Sequence, residues 1–298
     1  MTERLFEICT KDTVFINEPM AKHTTFKTGG NADYFVLPKT KEQLICVLKL
    51  AKDENVPCHI IGNGSNLLVS DKGVRGIVIA TTEMKEMTVS DTLISASCGV
   101  SLARLAGFAK QNALAGLEFA SGIPGTVGGG MMMNAGAYGG ALSDCAKETL
   151  CADFDGNLKT LSGAEQGLSY RKSAFSEQNL VVLETTFALT RGNEQEIEEK
   201  MKDFNARRRE KQPLEFPSAG STFKRPEGYF AGKLIEDAGL KGFRAGGASV
   251  SEKHAGFVIN DKGGTTADIL AVMQHCKDVV YQKFGVVLEP EVRFLGEF

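Results

Sequence analysis

The chain has 298 residues, 42% of them hydrophobic and 24% charged, with a net charge of −3 at neutral pH. That balance suits an ordinary globular chain of about two domains and offers no broad basic field for nucleic acid or an anionic membrane. Seven cysteines, an odd number with no CxxC pair, argue against a disulfide framework or a zinc ribbon. The four histidines show no HxxxH or HxH spacing, so a metal site has no support. The N-terminus lacks a basic segment followed by an apolar one, and no run reaches ~18 apolar residues. A reducing cytosol is the expected compartment.

Residues 1–33 are mixed and end in the turn-rich KHTTFKTGGNAD. YFVLP (34–38) reads as a strand. A helix follows, with Thr40 as its cap and Leu44, Val47, Leu48 and Ala51 on one face. CHIIG (58–62) is a short buried strand running straight into GNGSN, so the first third holds a β-α-β unit closed by a glycine turn. LLVS (67–70), GIVIAT (76–81), MTVSD (87–91) and TLISASCGV (92–100) read as successive strands. SLARLAGFAKQNA (101–113) is helical, with Ser101 as cap.

The next stretch, SGIPGTVGGGMMMNAGAYG (121–139), is the densest in glycine. Glycine loses the most conformational entropy on ordering and has no side chain to pack, so neither helix nor strand is expected there. Bare backbone offers amide N–H groups that can approach a ligand closely. The run therefore reads either as the floor of a nucleotide-cofactor site or as a set of tight turns with no ligand. TGG (28–30), IGNGSN (61–66) and AGST (219–222) are the turns that would close around it.

LCADF (150–154) is β-like, a DGN turn follows, and a polar stretch runs through LSYRKSAFSE to a long strand, NLVVLETTFALT (179–190). A boundary is expected near Arg191–Asn193, dividing the chain into 1–192 and 193–298. EQEIEEKMKDFNARRREKQP is a charged helix with a narrow apolar face of Ile197, Met201 and Phe204, and it stops at Pro213. Arg207, Arg208 and Arg209 near its end read either as a help in attracting an anionic nucleotide or, the reading preferred, as a mostly solvated face that complements the helix dipole. A helix near 230–238, a strand AGFVIN (255–260) and a longer helix over TTADILAVMQHCKDVVYQKF follow. LEPEVRFLG (288–296) closes the chain as a strand.

Gly62-Asn63-Gly64-Ser65-Asn66-Leu67 is the nearest approach to a dinucleotide fingerprint, but its sixth residue is leucine and a strand follows it. No GxxxxGK[ST] occurs. What remains is a polar glycine turn whose N–H dipoles suit a diphosphate without a lysine.

IGNGSNLLVSD (61–71), SGIPGTVGG, MNAGAYGG, YRKSAF (170–175), KQP (211–213), AGSTFKRP (219–226), KLIEDAGLKG (233–242) and LEPEVRF (288–294) together resemble the UDP-N-acetylenolpyruvoylglucosamine reductases, in the family's order and over nearly the whole chain. The resemblance implies an α+β fold with an FAD-binding domain of the vanillyl-alcohol-oxidase (PCMH) type in two lobes. A C-terminal α+β substrate domain follows, whose last strand, 288–296, returns to the active site. It implies the short type, without an inserted tyrosine-bearing loop. It implies bound FAD, NADPH as hydride donor, and reduction of the enolpyruvyl group of UDP-N-acetylglucosamine enolpyruvate in the cytoplasm. A monomer is favoured. Two other readings stay open: an FAD oxidase of the same fold, and a nucleotide-sugar-binding regulator without chemistry.

On the same resemblance, Gly62, Asn63, Gly64, Ser65 and Asn66 bind the cofactor. So do Ser121, Gly122, Ile123, Pro124, Gly125 and Gly128 near its pyrophosphate, and Asn134, Ala135 and Gly136 nearer the flavin ring. Hydride addition to the terminal alkene carbon leaves charge delocalised into the substrate carboxylate, which calls for a cation there and a proton donor at the adjacent carbon. Ser221 matches the proton donor, Arg171 the arginine beside the carboxylate, and Glu291 the third residue. That carboxyl is expected to be either protonated or effective through Arg171 and water. Without the resemblance, Ser221 reads as a turn or cap serine, Arg171 as a surface ion pair and Glu291 as an edge-strand residue. Lys211, Arg225 and Lys233 fall in the substrate-binding motifs. Arg225 departs from the asparagine of FKNP, and Gly130 from the alanine of GGA. Met131–Met133 read as packing beside the flavin.

Overall fold

Most helices begin where a short polar side chain can hold one of the first free amides. In the computed structural model, which describes residues 1–298, the helices are α1 (Thr2–Ile8), α2 (Lys41–Asp53), α3 (Leu102–Gln111), α4 (Val127–Met133), α5 (Ala174–Glu177), α6 (Glu194–Lys211), α7 (Ala231–Asp237) and α8 (Thr266–Phe284). Thr40, Ser101, Thr126, Ser173 and Thr265 cap α2, α3, α4, α5 and α8 by accepting a backbone N–H.

The chain forms two compact units. Unit 1 comprises 1–16, 34–63 and 76–208, and unit 2 comprises 17–33, 64–75 and 209–298. Unit 1 thus keeps α6 through Arg208, beyond the boundary expected at 192. The reason is the narrow apolar face of that helix. Ile197 is buried in the core of unit 1, and Met201 and Phe204 pack against the same core.

A four-stranded sheet runs in the order 14–19, 31–36, 74–80, 58–61, the last two parallel. The strands on either side of α2 are therefore not neighbours, because 74–80 lies between 31–36 and 58–61. Unit 1 holds a five-stranded sheet in the order 158–162, 146–152, 181–188, 93–97, 87–90, antiparallel throughout. Ile94, Ala96, Cys151, Val182 and Phe187 on it are buried in one core with Leu44, Leu48, Leu102 and Leu105 of α2 and α3.

Unit 2 has its own core. Val250 and Val258 from a three-stranded sheet (244–245, 248–250, 258–260) pack with Leu234 and Ile235 of α7 and Ile269, Met273, Cys276 and Val280 of α8. Two expected strands are shorter than expected. AGFVIN pairs only over Val258–Asn260, and LEPEVRFLG only over Arg293–Leu295, which runs parallel to Leu67–Val69. Pro290 has no N–H to give a ladder, so its segment meets Phe223 in a single bridge instead.

Asp71, from the IGNGSNLLVSD motif, closes unit 2 at long range. Its two carboxylate oxygens each accept a backbone N–H at the start of α8, from Thr266 and Ala267, both at 2.9 Å. Replacing Asp71 with alanine removes both acceptors. We expect a loss of about 1–2 kcal/mol, the usual cost of a lost N-terminal cap. Thermal unfolding should shift down by roughly 2–8 °C, and an unchanged transition would show that the interaction is idle.

Candidate active site

The glycine run is not a loop throughout. Val127–Met133 is a helix of seven residues, α4, containing Gly128, Gly129 and Gly130. Tertiary packing overrides propensity here. Val127 and Met131 are fully buried. A Cβ on Gly128 would press on Cys98, and one on Gly130 on the tips of Leu142 and Leu102, so α4 packs closely on the core at these two positions. Cys98 is a packing residue; burial pushes its thiol up to about 12.

The two glycine loops of unit 1 meet at the start of α4. Asn63 donates its side-chain amide to the carbonyl of Pro124 at 2.8 Å. A Cβ on Gly62 would lie 2.3 Å from the Thr126 hydroxyl, so only glycine admits this approach. Gly62, Asn63 and the Ser121–Gly125 segment are thereby brought together, as the sequence suggests. The loop then passes into unit 2. Gly64 takes a positive φ of 62° there against the His23 carbonyl. Ser65 is half-buried, and Asn66 donates its amide to the carbonyl of Glu291 at 3.2 Å.

At the other end of α4, Asn134 adopts the left-handed conformation and is buried, with 7% exposure. Its side-chain amide donates to the Ser143 hydroxyl and the Ser169 carbonyl, and its oxygen accepts the Ser143 N–H. Asn134 is thus committed within the unit through its side chain; Ala135 and Gly136 beside it are half-buried. Ser169 opens the turn that carries Arg171, and Lys172 closes it by pairing back to Ser169. Ser173 then donates its hydroxyl to the Met132 carbonyl at 3.0 Å. So YRKSAF is riveted to the end of α4 on both sides. Arg171 is half-buried at φ 57°, with its guanidinium 5.1 Å from the Tyr170 ring centre.

In unit 2 the structure brings Ser221 and Glu291 into adjacent backbone. Thr222 is fully buried. Its N–H donates to the Gly256 carbonyl at 2.9 Å, and its carbonyl accepts the Glu291 N–H at 2.8 Å. Its hydroxyl accepts the Val258 N–H at 2.9 Å. Ser221, the next residue, is exposed, and Glu291 is half-buried. His254 supports the same turn: its Nδ1 accepts the Gly256 N–H at 3.1 Å, and burial holds its pKa below the ordinary histidine value.

The expected cations stand apart in character. Lys211 is the exposed last residue of α6. Lys233 lies on the solvent face of α7, paired with Asp237 one turn on. Arg225 is exposed and lies over the Phe230 ring, 3.8 Å from its centre. The three arginines of α6 are not one solvated face. Arg207 pairs with Asp203, but Arg208 is half-buried and packs over Gly122. The signal for it is spacing, since Phe204 and Arg208 share the helix face that meets the glycine run.

Residues 212–295 match the family model described as UDP-N-acetylenolpyruvoylglucosamine reductase, C-terminal domain, and residues 32–162 match that described as FAD binding domain. A UDP-N-acetylenolpyruvoylglucosamine reductase of Caldanaerobacter subterraneus subsp. tengcongensis is 48% identical over 297 residues, covering 100% of this chain and 98% of that one. A solved UDP-N-acetylenolpyruvylglucosamine reductase from Thermus caldophilus superposes with TM-score 0.80 at 30% identity, covering 95% of this chain and 98% of that one. The glucose dehydrogenase Phl p 4.0202 superposes with TM-score 0.52 over 64% of this chain and 44% of its own, at 13% identity, which shows the fold alone. The α+β architecture with an FAD domain of the oxidase type is thus as expected.

Two outcomes test this geometry. Asn134→Gly keeps the left-handed turn and removes three hydrogen bonds; Asn134→Ala also strains the backbone. Alanine should be less stable than glycine by about 1 kcal/mol in denaturant unfolding, and the reverse order would remove the backbone argument. His254, depressed in the folded state, adds stability above its unfolded pKa of about 6.5 that is lost as pH falls through its lower folded value. A His254→Asn variant should show a flatter pH dependence of melting below pH 6.5; an identical slope would exclude His254.

Proposed function

The chain belongs to the UDP-N-acetylenolpyruvoylglucosamine reductase family, and from this we infer an FAD-dependent oxidoreductase that uses NADPH to reduce UDP-N-acetylglucosamine enolpyruvate to UDP-N-acetylmuramate, a step of peptidoglycan precursor synthesis. The observation that carries this reading is identity of 48% to a reductase along the full chain, so that both the cofactor and the substrate segments are matched. That coverage also disfavours an oxidase of the same fold, because the C-terminal match has no counterpart in a fold-only likeness. We place the reaction in the cytosol, to which seven free thiols are suited, and favour a monomer.

The residues of unit 1 fit the anionic part of FAD. Asn63 and Gly125 lie side by side through the Asn63–Pro124 bond, and no protein acceptor takes the N–H of either. Unpaired amides of this kind suit a diphosphate. When bound, FAD supplies the hydride chemistry that couples NADPH oxidation to alkene reduction.

The remaining demands fall on side chains. Hydride addition to the terminal alkene carbon builds negative charge on the carboxylate of the substrate. Arg171 is the proposed partner of that carboxylate, since its planar fork matches two oxygens and stays charged. Its turn, fixed by Asn134 and Ser173, spares the ordering cost at the moment of reaction. The adjacent carbon then needs a proton. Ser221 is the proposed donor: a hydroxyl is a feeble acid toward most groups, but a carbon base is strong enough to take its proton. The resulting alkoxide regains its proton from solvent, for which the exposure of Ser221 suffices. Glu291, hydrogen-bonded through its backbone to Thr222, is the third proposed active-site residue. Lys211 and Arg225 are proposed contacts for the substrate's phosphates, and Lys233 a weaker one, because Asp237 already engages it.

Stopped-flow separation of the two half-reactions tests these roles. Ser221→Ala should leave flavin reduction by NADPH nearly intact and slow flavin reoxidation by the enolpyruvyl substrate by about 10²–10⁴-fold. Equal loss in both halves would remove Ser221 from the donor role. A preparation that neither retains nor takes up FAD would overturn the reading as a whole.

A further inference from the structure

Where the chain passes from unit 1 to unit 2 it carries Asn63-Gly64, the one asparagine-glycine step in the sequence. Asparagine is among the thermolabile residues, and its weakness is intramolecular: the backbone nitrogen of the following residue can attack the side-chain carbonyl. Glycine in that following place has no side chain to hinder the nitrogen. Asn63 is exposed. The Gly64 carbonyl accepts the Thr25 N–H at 3.2 Å, whereas no protein acceptor takes the Gly64 N–H. The nucleophile of this ring closure is therefore not engaged elsewhere in the protein.

The surroundings of the step decide what the reaction does. The Asn63 side-chain amide donates to the Pro124 carbonyl at 2.8 Å, the bond that joins the two glycine loops of unit 1. Gly62 lies against the Thr126 hydroxyl, and Gly64, at φ 62°, against the His23 carbonyl, with no room for a Cβ at either position. A carboxylate at position 63 has no donor for Pro124 and sets acceptor against acceptor. It also brings negative charge to a loop whose amides suit a diphosphate. An isoaspartyl linkage adds one backbone atom to a stretch held closely on both flanks. Asn66, in the same loop, is the contrast. It is followed by Leu67, and its amide donates to the Glu291 carbonyl at 3.2 Å.

We propose that Asn63 is a site of spontaneous deamidation from which bound FAD protects the protein. Without FAD, the Gly64 nitrogen, having given its proton to solvent base, attacks the side-chain carbonyl carbon of Asn63. The new C–N bond closes a succinimide, and the side-chain nitrogen leaves as ammonia. Water then adds to one of the two ring carbonyls and opens the ring, leaving aspartate or isoaspartate at position 63. No electrons are exchanged, and water is the only co-reactant. FAD seated on this loop covers Asn63 and restrains the ring closure. The inference rests on the cofactor reading above and gives the cofactor loop a covalent fate: protein left without FAD loses the means of binding it again.

The test incubates parent protein stripped of FAD beside parent protein with FAD, at neutral and at mildly alkaline pH. The peptide containing Asn63 is followed by mass spectrometry and by isoaspartyl methyltransferase labelling. Conversion at Asn63 should proceed in the apoprotein, and faster at the higher pH because the nucleophile is the deprotonated amide. With FAD at about ten times its Kd it should slow about tenfold, in proportion to the loop left free. Asn66 in the same loop should keep its amide. Aged apoprotein, separated from fresh by its added negative charge, should bind FAD about tenfold or more weakly, as should Asn63→Asp. If Asn63→Asp melts early, the aged fraction carries the comparison. An Asn63 amide that survives in the apoprotein for as long as a urea-unfolded sample takes to convert would overturn the proposal. Equal rates with and without FAD, equal conversion at Asn66, or parental FAD affinity in the aged fraction would overturn it as well. A parent protein that takes up no FAD would instead defeat the cofactor reading, and the apoprotein arm would still decide whether Asn63 deamidates.

Discussion

Asn134 stands where the glycine helix ends, and every polar atom of its side chain is engaged. The residue tolerates a left-handed backbone at φ 43°, and from there its amide reaches both Ser143 and Ser169. Two consequences follow from one side chain. The helix is terminated without a glycine, and the turn bearing Arg171 is fixed to its end. Because Ser173 ties the far side of that turn to Met132, the arginine sits on a short bridge anchored at both feet. Such double anchoring suits a group that must meet developing charge without first being ordered. A buried amide that is fully satisfied stabilises; the same amide with one partner missing would cost about 1–3 kcal/mol.

Unit 2 is assembled from segments far apart in sequence. Asp71 caps α8, Asn260 holds the Phe26 carbonyl, Thr266 holds the Val69 carbonyl, and Arg293–Leu295 pairs with Leu67–Val69. Each contact spans most of the chain. Closing loops of that length costs only slightly more entropy than closing short ones, so such interleaving is thermodynamically accessible. It also places Glu291 and Asn66 side by side, which joins the end of the chain to the glycine turn of the first third.

Local features were readable from sequence because their causes are local. Thr40 and Ser101 cap the helices their positions announce, and α2 buries the face its spacing selects, Leu44, Val47, Leu48 and Ala51. What could not be read was set by partners distant in sequence. Gly128 and Gly130 pack closely on Cys98, Leu102 and Leu142, and no window around 121–139 contains that information. The boundary near 192 followed a change of composition, whereas α6 stays with unit 1 because Ile197 is buried there. Motifs named Ser221, Arg171 and Glu291 by resemblance, and geometry then explained why Ser221 and Glu291 adjoin. Arg208 was hidden by its neighbours: in a run of three arginines at a helix end, charge alone cannot show which one turns inward.

The serine turn shows how a weak acid can serve. A hydroxyl proton is not made available by tuning its acidity at neutral pH over the many units that separate it from water chemistry; position is the remaining lever. Thr222 provides it. Fully buried, it is bound through its N–H, its carbonyl and its hydroxyl to Gly256, Glu291 and Val258. Ser221 is therefore the exposed end of a rigid support rather than a residue of a free loop, and only its own χ1 torsion remains to be chosen. His254 extends the support by accepting the Gly256 N–H. In the proposed donor role, ordering achieved in the fold before substrate arrives would spare the cost of fixing donor and carbon together. The same logic holds at the arginine turn. The proposed proton donor and the proposed partner of the substrate carboxylate are both carried by short turns near buried, hydrogen-bonded residues, Thr222 and Ser173.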